Sequence, residues 1–128
     1  MAGYTTNIEH DTRSNEAFRR VLFTAERMQL VLMTLQPGDN IGMETHDDGD
    51  QFFRVESGEG EAILDGAHHA LVDGVVVVIP AGIEHDIVNT SSSAPLRVYT
   101  IYTPPEHPDG TVHDDKAAAD AYAEEHGH

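Results

Sequence analysis

Apolar and polar positions alternate along this chain in short runs, and turn residues separate one run from the next. That is the pattern of an all-β sandwich or barrel. The runs expected as strands are Arg20 to Phe23, Met28 to Leu35, Gly42 to His46, Gln51 to Glu56 and Glu59 to Leu64. His68 to Leu71, Val75 to Ile79, Glu84 to Asn89 and Leu96 to Thr103 complete the set. Pro37-Gly38-Asp39, Asp47-Asp48-Gly49, Asp73-Gly74 and Pro80-Ala81-Gly82 punctuate them, and Asp65-Gly66 is a strong hairpin signal. Only the end departs from this pattern: Asp115 to Glu125 is alanine-rich and predicts a short helix. The expected organisation is an N-terminal strand or arm over 1–19, a barrel over 20–103, and a C-terminal loop and short helix over 104–128. Within the arm, Tyr4 to Glu9 reads as an edge strand, pairing with its own or a neighbouring chain.

Alternation also decides which polar side chains can meet inside such a barrel, because residues two apart on a strand share a face. Glu44 and His46 share one face. Gln51 shares the next with Phe53 and Val55, which mark it as inward-looking. Beyond the Pro80-Ala81-Gly82 turn, His85 and Ile87 share a face, with Glu84 and Asp86 opposite. One carboxylate, two imidazoles and one amide can thus converge. Buried polar groups need partners, and one divalent cation would serve all four.

These residues also carry a family resemblance. Gly74 to Asn89 resembles the second cupin motif, G-x5-P-x-G-x2-H-x3-N, and matches it at Gly74, Pro80, Gly82, His85 and Asn89. Gly38 to Gly58 resembles the first motif, G-x5-H-x-H-x4-E-x6-G, with two departures. Glu44 stands at the first histidine and Gln51 at the glutamate, whereas Gly38, His46 and Gly58 keep their places. The resemblance, covering roughly 20–103, implies a double-stranded β-helix (jelly-roll) barrel with a metal near its centre. The paired departures conserve ligand number and site charge and move only the carboxylate. Glu44, His46 and His85 remain a two-histidine, one-carboxylate set, and Gln51 is either a fourth ligand or a hydrogen-bonding partner of water or substrate. With nitrogen and oxygen donors only, manganese, iron, nickel and zinc are all admissible, and copper(I) is disfavoured.

Composition narrows the picture. The 128 residues include no cysteine, which excludes disulfides and thiolate chemistry. Acidic residues number 23 against 7 basic ones, for a formal net charge of −16, and Lys116 is the only lysine. Such a surface repels nucleic-acid phosphates and anionic membranes, and it suits a salty cytoplasm. No run is long enough to span a bilayer, and the N-terminus lacks the pattern of a secretory signal, so a cytoplasmic location is expected.

The remaining candidates receive plainer readings. His68 and His69 point to opposite faces and are expected at the surface; His107 and His113 lie on a turn-rich stretch and are read as exposed loop residues in preference to a place at the cavity mouth or behind the ligands. His10, His126 and His128 are given no role. Arg54 and Arg97 are expected to face outward, in surface salt bridges in preference to binding an anionic substrate; Met28, Met33 and Met43 are read as barrel filling, with Met43, next to Glu44, alternatively at a pocket rim. There is no nucleophile elbow and no phosphate-binding glycine loop. The leading functional expectation is a metal-dependent enzyme acting on a small polar molecule inside the barrel, of isomerase, dioxygenase or lyase class. The competing expectation is a cupin that binds or senses a small ligand without catalysis. Resemblance to the family favours a homodimer.

Overall fold

A computed structural model describes residues 2–126, and its strands form two antiparallel sheets that curl into a jelly-roll barrel. After a helix α1 (Ile8–Ser14) come β1 (Arg19–Thr24), β2 (Gln29–Leu35), β3 (Asp50–Ser57) and β4 (Gly60–Leu64). They are followed by β5 (Ala67–Leu71), β6 (Val76–Ile79), β7 (His85–Asn89), β8 (Leu96–Thr103), β9 (Val112–His113) and a helix α2 (Lys116–His126). One sheet runs β6-β3-β8-β2-β1-β9 and the other β5-β4-β7. His128, given no role above, lies outside the described residues.

The alternation read from the sequence sets the faces. On β3, Gln51, Phe53 and Val55 are buried while Phe52 and Arg54 are only partly so. On β8 the buried set is Leu96, Val98, Thr100 and Tyr102. These inward residues meet Val31, Met33 and Leu35 of β2 and Ile87 of β7 in one continuous core. A single-residue slip of any of these strands would exchange its core face for its solvent face, so burial fixes the register.

The residues shared with the second cupin motif have identifiable work in this framework. The Gly74 amide donates to the Val55 carbonyl at 2.8 Å and the Gly82 amide to the His46 carbonyl at 3.0 Å. Both glycines have positive φ, +88° and +87°, a conformation costly for any residue with a Cβ. Asn89 is 1 % exposed; its amide nitrogen donates to the Leu35 and Ala94 carbonyls, and its Oδ1 accepts from the Ser91 amide. One side chain therefore joins β7, β2 and the turn leading to β8.

Several elements differ from expectation. Tyr4 to Glu9 forms no strand. Asn7 caps α1 instead, accepting from the His10 amide at 3.0 Å, with Glu9 and Asp11 in the first turn and Arg13 in the last. Gly42 to His46 is not a regular strand, since Gly42 takes φ +113° and donates its amide to Asp86 Oδ1. The segment still pairs with β7 through single bridges, Asn40 to Val88 and Glu44 to His85. β9 was not anticipated; it pairs with β1 through Arg19–His113 and Arg20–Val112. Of the three methionines expected inside, only Met33 is buried, while Met28 and Met43 are 45 % and 50 % exposed. Arg54 and Arg97 do form ion pairs, with Glu56 and Glu16 respectively. No helix among the described residues is long and apolar enough to cross a membrane.

Asn89→Ala should leave two carbonyls and one amide without their partner and destabilise the barrel by about 2–4 kcal/mol, measured by chemical denaturation.

Candidate metal centre

Glu44 and His85 occupy directly opposed positions on their two segments. The Glu44 amide donates to the His85 carbonyl and the His85 amide to the Glu44 carbonyl, each at 2.8 Å. Directly opposed residues of an antiparallel pair put their side chains on the same face. His46, two residues beyond Glu44, joins them, its main chain held by the Gly82 amide. One donor atom from each of Glu44, His46 and His85 lies within 4.8 Å of the others, a grouping that could hold a metal ion.

The hydrogen bonding around these atoms fits a cation. His85 is 3 % exposed, and its Nδ1 lies 2.9 Å from the Ile83 carbonyl. A carbonyl only accepts, so Nδ1 carries the proton and Nε2 keeps its lone pair. His46 Nε2 is buried and sits 3.1 Å from Glu44 Oε2. Two electron-rich atoms held that close require a proton or a cation between them. In the cation's absence the Glu44 carboxylate raises the His46 pKa above the ordinary imidazole value, burial opposes it, and Glu106 at 3.5 Å from Nδ1 adds to the rise.

Gln51 lies on β3 directly opposite Tyr102 on β8, and the Tyr102 ring meets His46 edge-on at 6.0 Å between centroids. The Gln51 amide nitrogen donates to Thr100 Oγ1 at 3.0 Å, which turns its carbonyl oxygen the other way. That oxygen is buried and has no hydrogen-bond partner. It is a neutral oxygen at the sequence position where the first cupin motif has a carboxylate.

Two cavities meet at this group. One, of about 380 Å³, opens between Asp47, Asp48, Tyr102 and Pro104; the other, of about 250 Å³, runs beneath α2 along Arg19, His107 and Tyr122. Glu44, His46 and Glu106 line both. The segment after β8 thus forms part of the site, and His107 and His113 are not the exposed loop residues expected. His113 is 8 % exposed because β9 pairs with β1. His107 packs against Tyr102, its Nε2 3.3 Å from the phenol oxygen, and its main chain is tied to Gln29. Burial, reinforced by the Arg19 charge, pushes the His107 pKa down to about 3. The same two causes lower His113, and burial holds the Tyr102 hydroxyl protonated far above the usual phenol range. His126, given no role from sequence, stacks on Tyr122 at 4.2 Å and lines the cavity beneath α2. His68 and His69 are exposed, as expected.

Arg19 is the residue of this region that strand reading missed. It is 7 % exposed and faces inward with Val21, whereas Arg20 faces out. The two-residue offset from Arg19 to Val21 was available in the sequence, but an arginine at the inward position gave no apolar signal, and the bulge between Val21 and Phe23 turns Phe23 to the opposite face.

The fold agrees with direct comparison: residues 31–102 match the family model of the cupin domain, and the chain belongs to that family. It is 41 % identical over 112 residues to an uncharacterised protein of Acanthamoeba polyphaga mimivirus, covering 85 % of this chain and 70 % of the viral one. It is equally similar, 41 % over 122 residues, to the uncharacterised protein YrkC of Bacillus subtilis, covering 91 % of this chain and 65 % of that one. The chain thus spans about two thirds of the length of these relatives. A crystal structure from Bacillus halodurans, 42 % identical, superposes with a TM-score of 0.90 over 94 % of this chain and 95 % of the other.

The depressed His107 pKa makes the protein acid-sensitive. The unfolded state takes up the His107 proton near pH 6.5 and the folded state only near 3, so stability is full above 6.5 and falls as pH drops toward 3. The slope from this group reaches about 1.4 kcal/mol per pH unit. His107→Gln should reduce the stability difference between pH 7 and pH 5, measured by urea denaturation at both values.

Proposed function

We propose that this cupin is a metal-dependent enzyme acting on a small polar molecule within the barrel, with Glu44, His46 and His85 as ligands to one divalent transition metal. Gln51 supplies the fourth donor through its carbonyl oxygen. The observation that carries this reading is the convergence of one donor atom each from Glu44, His46 and His85 within 4.8 Å, and the buried Gln51 Oε1, which has no hydrogen-bond partner, supports it. Manganese, iron, nickel and zinc all suit such nitrogen and oxygen donors. When bound, an ion of this kind polarises a substrate oxygen as a Lewis acid.

The chain's own residues supply the rest. The Ile83 carbonyl keeps His85 in the tautomer whose Nε2 can donate, and Glu106 steadies the His46 ring from the far side. Tyr102 remains a neutral phenol beside the cavity, able to donate or accept a hydrogen bond.

A homodimer is part of the same proposal. Val78, Phe52, Ile101, Leu30 and Phe23 stand directly opposite one another across five strands on the outer face of the larger sheet. Val78 is 62 % exposed at the edge strand β6. α1 packs on the same sheet against β8, β3 and β2, and Tyr4 stacks on Phe23 at one end of the row, while Phe52, Ile101 and Leu30 between the ends stay partly exposed. An uncharged row on a chain of net charge −16 is where two copies can approach without repulsion. Light scattering coupled to gel filtration should report a dimer, and Val78→Lys combined with Ile101→Glu should give a folded monomer.

Elemental analysis of protein purified without an affinity tag should find about one equivalent of transition metal per chain. His85→Ala should abolish it, and Gln51→Ala should weaken uptake about tenfold. Protein that neither carries nor takes up any of the four metals would overturn the reading, and metal-loaded protein that turns over no substrate would leave a binding module.

A further inference from the structure

We infer that Arg19 is the anion-recognising residue of the cavity and that the substrate carries a carboxylate. This deepens the proposed function, on which it rests for the position of the substrate's other end. A guanidinium that is 7 % exposed has lost its water and needs an anion in return, since removing a charge from water without a counter-charge is costly. None of the ion pairs among the described residues includes Arg19. Its Nη1 donates to His113 Nδ1 at 3.1 Å, a neutral acceptor, and its guanidinium carbon lies 5.4 Å from the centre of the Phe18 ring. Its Nε is buried and has no partner at all.

The position of this unsatisfied donor suggests what satisfies it. Arg19 lines the 250 Å³ cavity that Glu44 and His46 also line, so a single small molecule can touch both ends. The planar guanidinium presents paired N–H groups that match the two oxygens of a carboxylate. A phosphate ester fits less well: its second negative charge would face Glu44 and Glu106, with one guanidinium among the cavity-lining residues to offset them. The ligand class is therefore a small carboxylic acid bearing a further oxygen function, such as a hydroxy acid. Its carboxylate meets Arg19, and its other oxygen reaches the Glu44, His46 and His85 end. Arg19 is thus a specificity-determining residue contributed by β1, a strand that carries none of the proposed ligands.

Lactate serves as the probe and lactamide as its neutral counterpart, titrated calorimetrically into metal-free and manganese-loaded protein. Lactate should bind and lactamide should not. Arg19→Gln, which keeps a donor for His113, should weaken lactate binding about 10- to 100-fold while manganese uptake stays at the wild-type level. Arg19→Gln should also melt within a few degrees of wild type without ligand, because it removes an uncompensated buried charge; a large loss of melting temperature would assign Arg19 a structural role and overturn the inference. Independently of any variant, lactate should shift the Arg19 Nε–H resonance of the wild-type chain, and lactamide should not. Equal binding of lactate and lactamide, or undiminished lactate binding by Arg19→Gln, would also overturn it. If manganese fails to bind while lactate still depends on Arg19, the metal reading falls and this one stands.

Discussion

The site depends on one reciprocal backbone contact, the pair of hydrogen bonds between Glu44 and His85. Everything else in the centre is referred to it. The pairing brings two segments about forty residues apart into opposition and aims both side chains to one side. His46 follows by its two-residue offset, and Gly82, three residues before His85, reaches back to hold His46 in place. Asp86 secures the same junction from the other face, accepting from Asn40 Nδ2 and the Gly42 amide while 5 % exposed. The reciprocal backbone bonds and the Asp86 carboxylate thus hold the same seam, and the main chains of Glu44 and His85 fix the geometry in which their side chains present the donors.

Much of this was legible in the sequence, for a physical reason. The strands of the barrel bury one face each, so their period-two pattern survives in the residue order, as Gln51, Phe53 and Val55 illustrate. The turn at 80–82 and the spacing to Asn89 declared the β7 region, because only glycine tolerates the backbone there and only a short amide side chain bridges three elements. The exchange of carboxylate between positions 44 and 51 was also readable, because Glu44 and Gln51 each fall at a fixed place in the first motif.

What escaped was whatever depends on long-range closure. β9 is two residues long, and nothing in Val112-His113 announces a partner ninety residues away on β1. Without that pairing, His107 and His113 read as loop residues and Arg19 as the end of an arm. The helix α1 was missed differently: its signals, a capping Asn7 and acids in the first turn, were present but weak over seven residues. The interrupted segment at 42–46 reflects a conflict between strand propensity and Gly42, which the fold resolves in favour of the Asp86 contact.

The order of elements along the chain has a consequence for biosynthesis. All four proposed donors lie between residues 44 and 85, whereas the segment that roofs the inner cavity begins beyond residue 104. A ribosome therefore releases the donors well before β9 can pair with β1 or α2 can settle over the cavity. A cation captured by the nascent barrel would then be covered on its inner side by the last part of the chain to emerge, leaving the cavity between Asp48 and Pro104 as the way out. Exchange in the finished protein would be slower than first uptake, so the metal carried by the mature chain would record what was available while it was being made.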